Sequence, residues 1–431
     1  MRHTPVIGLE VHVQVKTRSK MFCGCPADVF GRKPNTATCP VCLGLPGAMP
    51  VPNAKAIEKT VLLAKSLGCK ITRFSQFERK NYFYPDLPKG FQISQYAGPI
   101  GEGGQLKGIS IRRVHLEEDT GRLVHESSAT LVDFNRSGVP LIEIVSEPEF
   151  SDPAKVTEFL KELRTTIIYL GISDADMEKG SLRLEANVSL QEENNVKLPE
   201  YKVELKNINS FAFLEKAVRA EIARQTEVMK EGLSIPQETR GFDEKRGVTV
   251  LQRRKEEALD YRYLPEPDIP PITEKLFRGV RGKKTLSQVR KEYLSLGLSR
   301  QYAEVLIKRS DLAALFEGVR KKMPPKEAAD VIVNKRFGSP RELGAEGIIS
   351  AYQKQLGNEV ISGEELSAIA EKVVLDNPAA VSDYAAGKEN ALQFLFGQLM
   401  RETQGKLAPK EGKDILKKKT NARAKTTSAK N

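Results

Sequence analysis

Alternation of apolar and polar positions dominates the first two thirds of the chain. In VIGLEVHVQV, residues 6 to 15, Ile7, Leu9, Val11, Val13 and Val15 fall on one face of an extended segment and Glu10, His12 and Gln14 on the other. Such a segment is a half-buried strand that sets a carboxylate and an imidazole side by side on its polar face. The same period predicts strands within residues 109–119, 129–134, 140–147, 181–190 and 201–208, separated by turn residues such as GEGG (101–104) and NRSG (135–138). One helix interrupts them. In SDPAKVTEFLKELRTTIIYLG, Ser151 or Asp152 is the N-cap, Pro153 sits in the first turn, and Gly171 ends the helix. Val156, Phe159, Leu160, Leu163, Ile167 and Leu170 form its apolar face. After YRYLPEPDIPPI (261–272) the pattern turns helical, with Lys, Arg and Glu on the outer faces. A second break around residues 376–390 precedes a helix at NALQFLFGQLMRET. The chain reads as α+β: a β-rich domain over 1–270, an all-helical domain over 271–375 and a small helical tail domain over 376–431 with a basic extension. No repeat of fixed period interrupts this order.

With 431 residues, 40% of them hydrophobic, the chain can bury a core in two or three domains. It contains no run of about 18 apolar residues, and MRHTPVIGLEVHV has no apolar segment behind its charges. Neither a membrane span nor a secretory signal is supported, and a cytosolic location is expected. The net charge of +12 points to a polyanionic partner, yet residues 406–431 hold nine Lys/Arg against two Asp/Glu, a net +7. That tail is either a solvated basic segment or a direct RNA contact.

Four of the five cysteines, Cys23, Cys25, Cys39 and Cys42, are spaced C-x-C-x13-C-x2-C, with Cys69 apart. This is not the dispersed framework of a disulfide-bonded secreted protein. Two cysteine pairs on short loops can supply the four thiolates of tetrahedral Zn2+, and with all four positions filled by protein such a zinc is structural. The alternative is four buried, reduced thiols. A second constellation is acidic: Glu10 with His12, the run Glu117-Glu118-Asp119, Glu143 and Glu185 lie on or beside separate predicted strands. One sheet could converge them on a hard cation such as Mg2+, which favours carboxylate oxygens and contacts substrate phosphates; otherwise each simply faces solvent. Neither GVRGKKT (279–285) nor the glycines of GEGGQLKG meets the spacing of a phosphate-binding loop, and a hairpin turn accounts for the latter. Any nucleotide is bound by another architecture.

Several long stretches, taken in order, resemble one family. VIGLEVHVQVKTRSKMF, ERKNYFYPDLPKGFQISQY, HLEEDTGR, VDFNRSGVPLIEIVSEPE, MEKGSLRLEANVSL, ELKNINSF and DYRYLPEPDIPP are similar to the B subunit of the aspartyl/glutamyl-tRNA(Asn/Gln) amidotransferases, and the likeness resumes at SDYAAGKENALQFLFGQLMRETQGK. The resemblance implies a cytoplasmic ligase component whose β-rich cradle domain uses ATP and Mg2+ to phosphorylate the side chain of Glu-tRNA(Gln) or Asp-tRNA(Asn) and then amidates it. It further implies a heterotrimer with an amidase, the A subunit, that releases ammonia from glutamine, and a small C subunit that clamps the two together. The family's cation site would fall on Glu10, His12, Glu118, Glu143 and Glu185, with Lys80 and Tyr82 near the phosphates or the reacting acyl group and Glu118 taking part in the chemistry. The terminal domain would contact the body of the tRNA.

Three departures qualify the match. The family usually has C-D-A-N where this chain has Leu184-Glu185-Ala186-Asn187, which puts the carboxylate one methylene further out. The helical region over 271–375 is shorter than in typical members, and the lysine-rich extension beyond about 415 is additional. The cysteine cluster occurs in some members only, which fits a structural zinc staple better than a base-reading element. The related archaeal E subunit has a large inserted domain with no obvious place here. A rival of another class is a zinc-stapled, non-catalytic tRNA-binding protein. It leaves unexplained why carboxylates and a histidine sit on several strands, since acidic clusters repel phosphate unless a cation intervenes.

Overall fold

The computed structural model describes residues 3–192, 197–254, 261–359, 363–403 and 409–428. The final three residues of the basic extension, Asp260 of the DYRYLPEPDIPP motif and the closing QGK of the SDYAAGKEN stretch lie outside the described residues. Along the chain the strands are β1 (His3–Gln14), β2 (Lys70–Ile71), β3 (Phe74–Ser75), β4 (Glu78–Asn81), β5 (Phe91–Ser94), β6 (Gly101–Leu106), β7 (Ile109–Glu118) and β8 (Arg122–His125). They continue with β9 (Thr130–Asp133), β10 (Pro140–Ser146), β11 (Leu182–Glu192), β12 (Val203–Ile208), β13 (Glu238–Asp243), β14 (Val248–Arg254), β15 (Leu264–Pro265) and β16 (Ile272–Thr273). Among the described residues, nine strands form one sheet in the order β14-β13-β12-β11-β1-β10-β7-β6-β2. All neighbours are antiparallel except β12 and β13.

The central strand, β1, has the alternation its sequence predicts. Ile7, Leu9, Val11 and Val13 are buried, and Glu10, His12 and Gln14 are half-buried on the opposite face. The apolar face packs on three helices: α1 (Ala54–Ser66), α2 (Pro153–Tyr169) and α3 (Phe211–Lys230). Helix α2 starts at Asp152, whose side chain accepts from the backbone N–H of Ala154, and its six predicted apolar residues are all buried. Helices α1 and α3 are additions to the strand-rich reading. Asn53 caps α1 and Ser210 caps α3, and Ala56, Ile57, Thr60, Val61 and Ala64 give α1 a buried stripe of helical period.

GEGG lies in β6 rather than in a turn. The hairpin turn is at Lys107 and Gly108, with φ of 53° and 83°. Two of the GEGG glycines serve close packing: a Cβ on Gly101 would come within 2.7 Å of Ala64 Cβ, and one on Gly104 within 2.6 Å of Cys69 Sγ.

Smaller sheets β15-β4-β5, β16-β3 and β8-β9 complete the β-rich part. Helices α4 (Glu274–Phe277), α5 (Leu286–Ser295) and α6 (Arg300–Lys308) follow. Arg290 holds them to α2 by donating to Glu162 at 2.6 Å and to Glu304 at 2.5 Å. Contacts divide the chain into two compact units, Met1–Ser310 and Asp311–Asn431. The second unit is helical, with α7 (Ser310–Val319) at its start, then α8 (Pro325–Val333), α9 (Pro340–Glu359, broken at Gly344), α10 (Gly363–Asp376), α11 (Pro378–Ala385), α12 (Glu389–Glu402) and α13 (Pro409–Ser428). Leu366, Ala370, Val373 and Val374 of α10 share one core with Val381, Leu395, Leu399 and Leu416, so residue 376 falls inside this bundle. The fold is α+β, a large sheet followed by helical segments, as the pattern predicts. Among the described residues, no helix is long and apolar enough to cross a membrane.

Candidate active site and cysteine cluster

With one face of the sheet given to the helices, the other gathers polar side chains in rows set by strand register. Glu143 and Arg183 lie opposite His12 on the two neighbours of β1, and His115 lies opposite Glu143 on β7. The next row holds Glu185, Glu10, Val145 and Arg113. Because directly paired residues point to the same face, the rows form one surface of carboxylates, imidazoles and guanidiniums, to which Glu117 and Asp119 add further along β7 and just beyond it.

His12, Glu117 and Glu143 converge. Their ligand atoms lie within 4.8 Å of one another, with His12 Nε2 3.5 Å from Glu143 and 3.8 Å from Glu117. His115 Nε2 is 3.2 Å from Glu143 and 3.7 Å from Glu117, while its Nδ1 is buried with no hydrogen-bond partner. Burial alone would lower the pKa of His12, but the hydrogen bond and charge of Glu143, with Glu185 and Glu117 behind it, raise it to about 9. His115 is raised for the same reason, against the same burial. Glu143, despite burial, is held well below the usual carboxylate range by the two imidazoles. One imidazole and two carboxylates this close are a donor set into which a divalent cation fits, since ligation would displace the imidazole's proton.

Glu10 and Glu185 stand directly opposite each other, one row away. Glu10 accepts from Asn187 Nδ2 at 2.9 Å, and Glu185 pairs with Lys206 at 3.2 Å. Burial raises Glu185 in spite of Lys206. Glu118, expected in the cluster, is not there. It follows Glu117 on one strand and therefore points to the opposite face, where it accepts from Lys89 Nζ at 2.8 Å and from the backbone N–H of Ile93 at 3.0 Å. Its neighbour Glu117 takes the place, steadied by Ser94 Oγ at 3.0 Å. Lys80 and Tyr82, on and just after β4, belong to an aromatic wall. Lys80 Nζ is 5.6 Å from the centroid of Tyr82 and 4.8 Å from that of Tyr261, and Tyr96 stacks on Tyr263 at 4.7 Å. Burial, then the charges of Asp86 and Glu117, push the Tyr82 phenol up.

The four cysteines also meet. The sulfurs of Cys23, Cys25, Cys39 and Cys42 all lie within 4.8 Å of one another and none forms a disulfide. Zn–S bonds of about 2.3 Å in a tetrahedron set sulfurs about 3.8 Å apart, so the donor set fits one zinc. A hydrogen bond from Cys23 outweighs burial and, with the Cys39 backbone N–H and the buried Lys20 ammonium 3.6 Å away, holds Cys42 down to about 4. That is the thiolate a metal needs. The cluster also walls a cavity of about 230 Å³ against Arg79, Lys89, Glu118 and Glu266.

Comparison with known proteins agrees with this geometry. A family profile described as the GatB/GatE catalytic domain matches residues 5–276, and one described as the GatB domain matches 282–420. The B subunit of the aspartyl/glutamyl-tRNA(Asn/Gln) amidotransferase of Thermotoga maritima is 42% identical over 97% of this chain and 99% of its own length. Those of Thermosipho melanesiensis and Carboxydothermus hydrogenoformans are each 41% identical, over 97% and 96% of this chain and 99% and 98% of their own lengths. The chain belongs to the family of amidotransferase B subunits.

Within this amidotransferase component, alternation brought Glu10, His12, Glu143 and Glu185 to one face and offered the run Glu117-Glu118-Asp119; the family resemblance took Glu118 from it, whereas the alternation His115, Glu117, Asp119 along and just past β7 singles out Glu117. Sequence reasoning did not single out His115, Arg113, Arg183 or the tyrosines that join Tyr82 around Lys80. Those tyrosines come from residues 96, 261 and 263, and no period in the chain relates them to Tyr82.

Proposed function

We propose that this protein performs the activation and amidation chemistry of a glutamine-hydrolysing, tRNA-dependent amidotransferase, acting on Glu-tRNA(Gln), Asp-tRNA(Asn) or both. The observation that carries the reading is the meeting of His12, Glu117 and Glu143 from three adjacent strands. It occurs on the open face of the β-rich region, in a chain matched end to end by proteins of that name. A non-catalytic tRNA-binding chain would have no use for this arrangement.

The chemistry explains the residues. A carboxylate is a poor acyl donor because its oxygen leaves badly. In the first step its oxygen attacks the γ-phosphorus of ATP, an O–P bond forms and ADP leaves. In the second, ammonia attacks the carbonyl carbon, the C–O bond to phosphate breaks, phosphate leaves and the nitrogen loses a proton. Mg2+ held by His12, Glu117 and Glu143 would neutralise the phosphate oxygens. Glu10 and Glu185, one row away, would orient waters of that ion. Lys80 and Tyr82 form the wall on which the acyl group or phosphates would rest. Glu118, on the reverse side with Lys89, would act there and not as a cation ligand.

Ammonia would come from an amidase, the A subunit, docked through a small C subunit, since this chain has no recognisable amidase nucleophile motif of its own. Zinc on the four cysteines is structural in this reading. The region over 1–270 is the cradle, the helices after it form the helical part, and the bundle of α10 to α13 with its basic end meets the tRNA in the cytoplasm. The test is amide formation on mischarged Glu-tRNA(Gln) and Asp-tRNA(Asn) with ATP, Mg2+ and free ammonium, with and without the A and C partners. Product supports the reading and identifies the acid. No product and no tRNA-stimulated ATP turnover, even in the heterotrimer, overturns it.

A further inference from the structure

Two arginines on the open face of the sheet are bound differently from the others. Arg183 lies directly opposite His12 on β11, and Arg113 lies one row on, opposite Val145 on β7. They therefore stand on the two sides of the His12–Glu143 pair. Arg183 Nη2 donates to Asp119 Oδ1 at 2.8 Å. Arg113 Nη2 is 3.9 Å from Glu143 Oε1, and its guanidinium lies 5.4 Å from the centroid of the Tyr96 ring. In each the Nε is buried and has no hydrogen-bond partner. By contrast, Arg79, Arg112, Arg224, Arg240 and Arg290 all place Nε on an acceptor.

A buried donor without an acceptor is costly, and native proteins keep few of them. Two such donors, on arginines whose strands flank one cluster, mark guanidiniums short of an acceptor that an anion would supply. A carboxylate ligand would need one fork. A transferring phosphoryl group spreads its charge over three equatorial oxygens and can be met by two planar guanidiniums at once.

We propose that Arg113 and Arg183 form a clamp that holds the phosphoryl group passing from ATP to the substrate carboxylate, a role that rests on the amidotransferase reading above. Asp119, fixed by Gln14 Nε2 at 2.8 Å, then serves as the positioning residue for Arg183.

The test uses the heterotrimer with co-expressed A and C partners and the variants Arg113→Lys and Arg183→Lys, which keep the charge but lose the planar fork. Binding of ADP with aluminium fluoride, a mimic of the transferring phosphoryl group, is compared with binding of ADP alone. The clamp predicts that each variant weakens the mimic by about tenfold or more and ADP alone by less than about threefold, in variants that circular dichroism shows folded at the assay temperature. Equal weakening of both ligands, or parent-like binding of the mimic, overturns the clamp even where the parent heterotrimer forms amide from ATP. A parent heterotrimer that forms no ATP-dependent amide overturns the functional reading and the clamp with it.

Discussion

Replacing Asp119 by asparagine tests the electrostatics of the open sheet face through stability. The Asp119 side chain is 1% exposed. Its oxygens accept from Arg183 Nη2 at 2.8 Å, Gln14 Nε2 at 2.8 Å and the backbone N–H of Thr120 at 2.9 Å, and Arg136 is 3.6 Å away. Burial by itself would raise its pKa. Arg183 and Arg136 first, and the two hydrogen bonds after them, outweigh burial and hold it below the ordinary 3.8. An asparagine in its place would turn an amide N–H₂ toward donors and leave the arginines without their counter-charge. Breaking a buried pair costs about 3–5 kcal/mol when both partners are sealed from water. The Arg183 side chain is 36% exposed and recovers some hydration, so the expected loss is about 2–3 kcal/mol at pH 7. At about 2 °C per kcal/mol for a unit of this size, the melting temperature falls by about 4–6 °C.

The pH dependence follows from the sign of the shift. A carboxyl whose pKa is lower in the folded state stabilises the fold above its unfolded pKa, and that contribution disappears as pH falls through the folded value. The gap between parent and Asp119→Asn should therefore be constant from pH 7 to about 5 and close progressively below about 4. Differential scanning calorimetry over that range measures it. A variant within about 1 °C of the parent at pH 7, or a gap that persists undiminished to the lowest pH of cooperative unfolding, would refute the reasoning.

Other outcomes follow from the same geometry. Glu117→Gln should reduce Mg2+-dependent amide formation about a hundredfold or more, the effect of losing one cation ligand, with tRNA affinity intact. Glu118→Gln should leave Mg2+ dependence as in the parent, and a changed Mg2+ requirement would return Glu118 to the cation site. Glu185→Asp should retain activity, whereas Glu185→Ala, which leaves Lys206 with Glu204 alone as its partner, should lose it; a fully active alanine variant removes this residue from the site. Metal analysis of freshly purified, reduced protein should find about one zinc per chain, and Cys39→Ser with Cys42→Ser should abolish it. Gly104→Ala should destabilise by about 1–3 kcal/mol because its Cβ would meet both Cys69 Sγ and the Leu67 carbonyl at 2.6 Å; denaturant titration reads the change. Ending the chain at residue 359, ahead of the bundle core that starts in α10, should weaken tRNA binding in a filter assay and leave ATP hydrolysis largely intact.

The sequence by itself determined a good deal of this protein. The period-2 pattern of β1 assigned Glu10 and His12 to one face and Leu9 and Val11 to the other, because side chains on a strand alternate. The cap and stripe of α2 set that helix within a residue of its observed start. The four-cysteine spacing brought its sulfurs together over a single short loop, where chain connectivity limits the possible geometries. What remained undecided is what depends on segments distant in sequence. Whether Glu117 or Glu118 faces His12 turns on the register of β7 against β10 and of β10 against β1, and a slip of one residue exchanges the two carboxylates between faces. Alternation within HLEED groups Glu117 with His115, but not with His12, which lies on another strand. The arginines opposite His12 and Val145, and the tyrosines gathered from residues 82 to 263, are likewise neighbours only after the strands have paired. Local periodicity fixes which way each side chain points on its own strand, whereas the shared site is created by cross-strand registration, which the free energy of burying the whole apolar face selects.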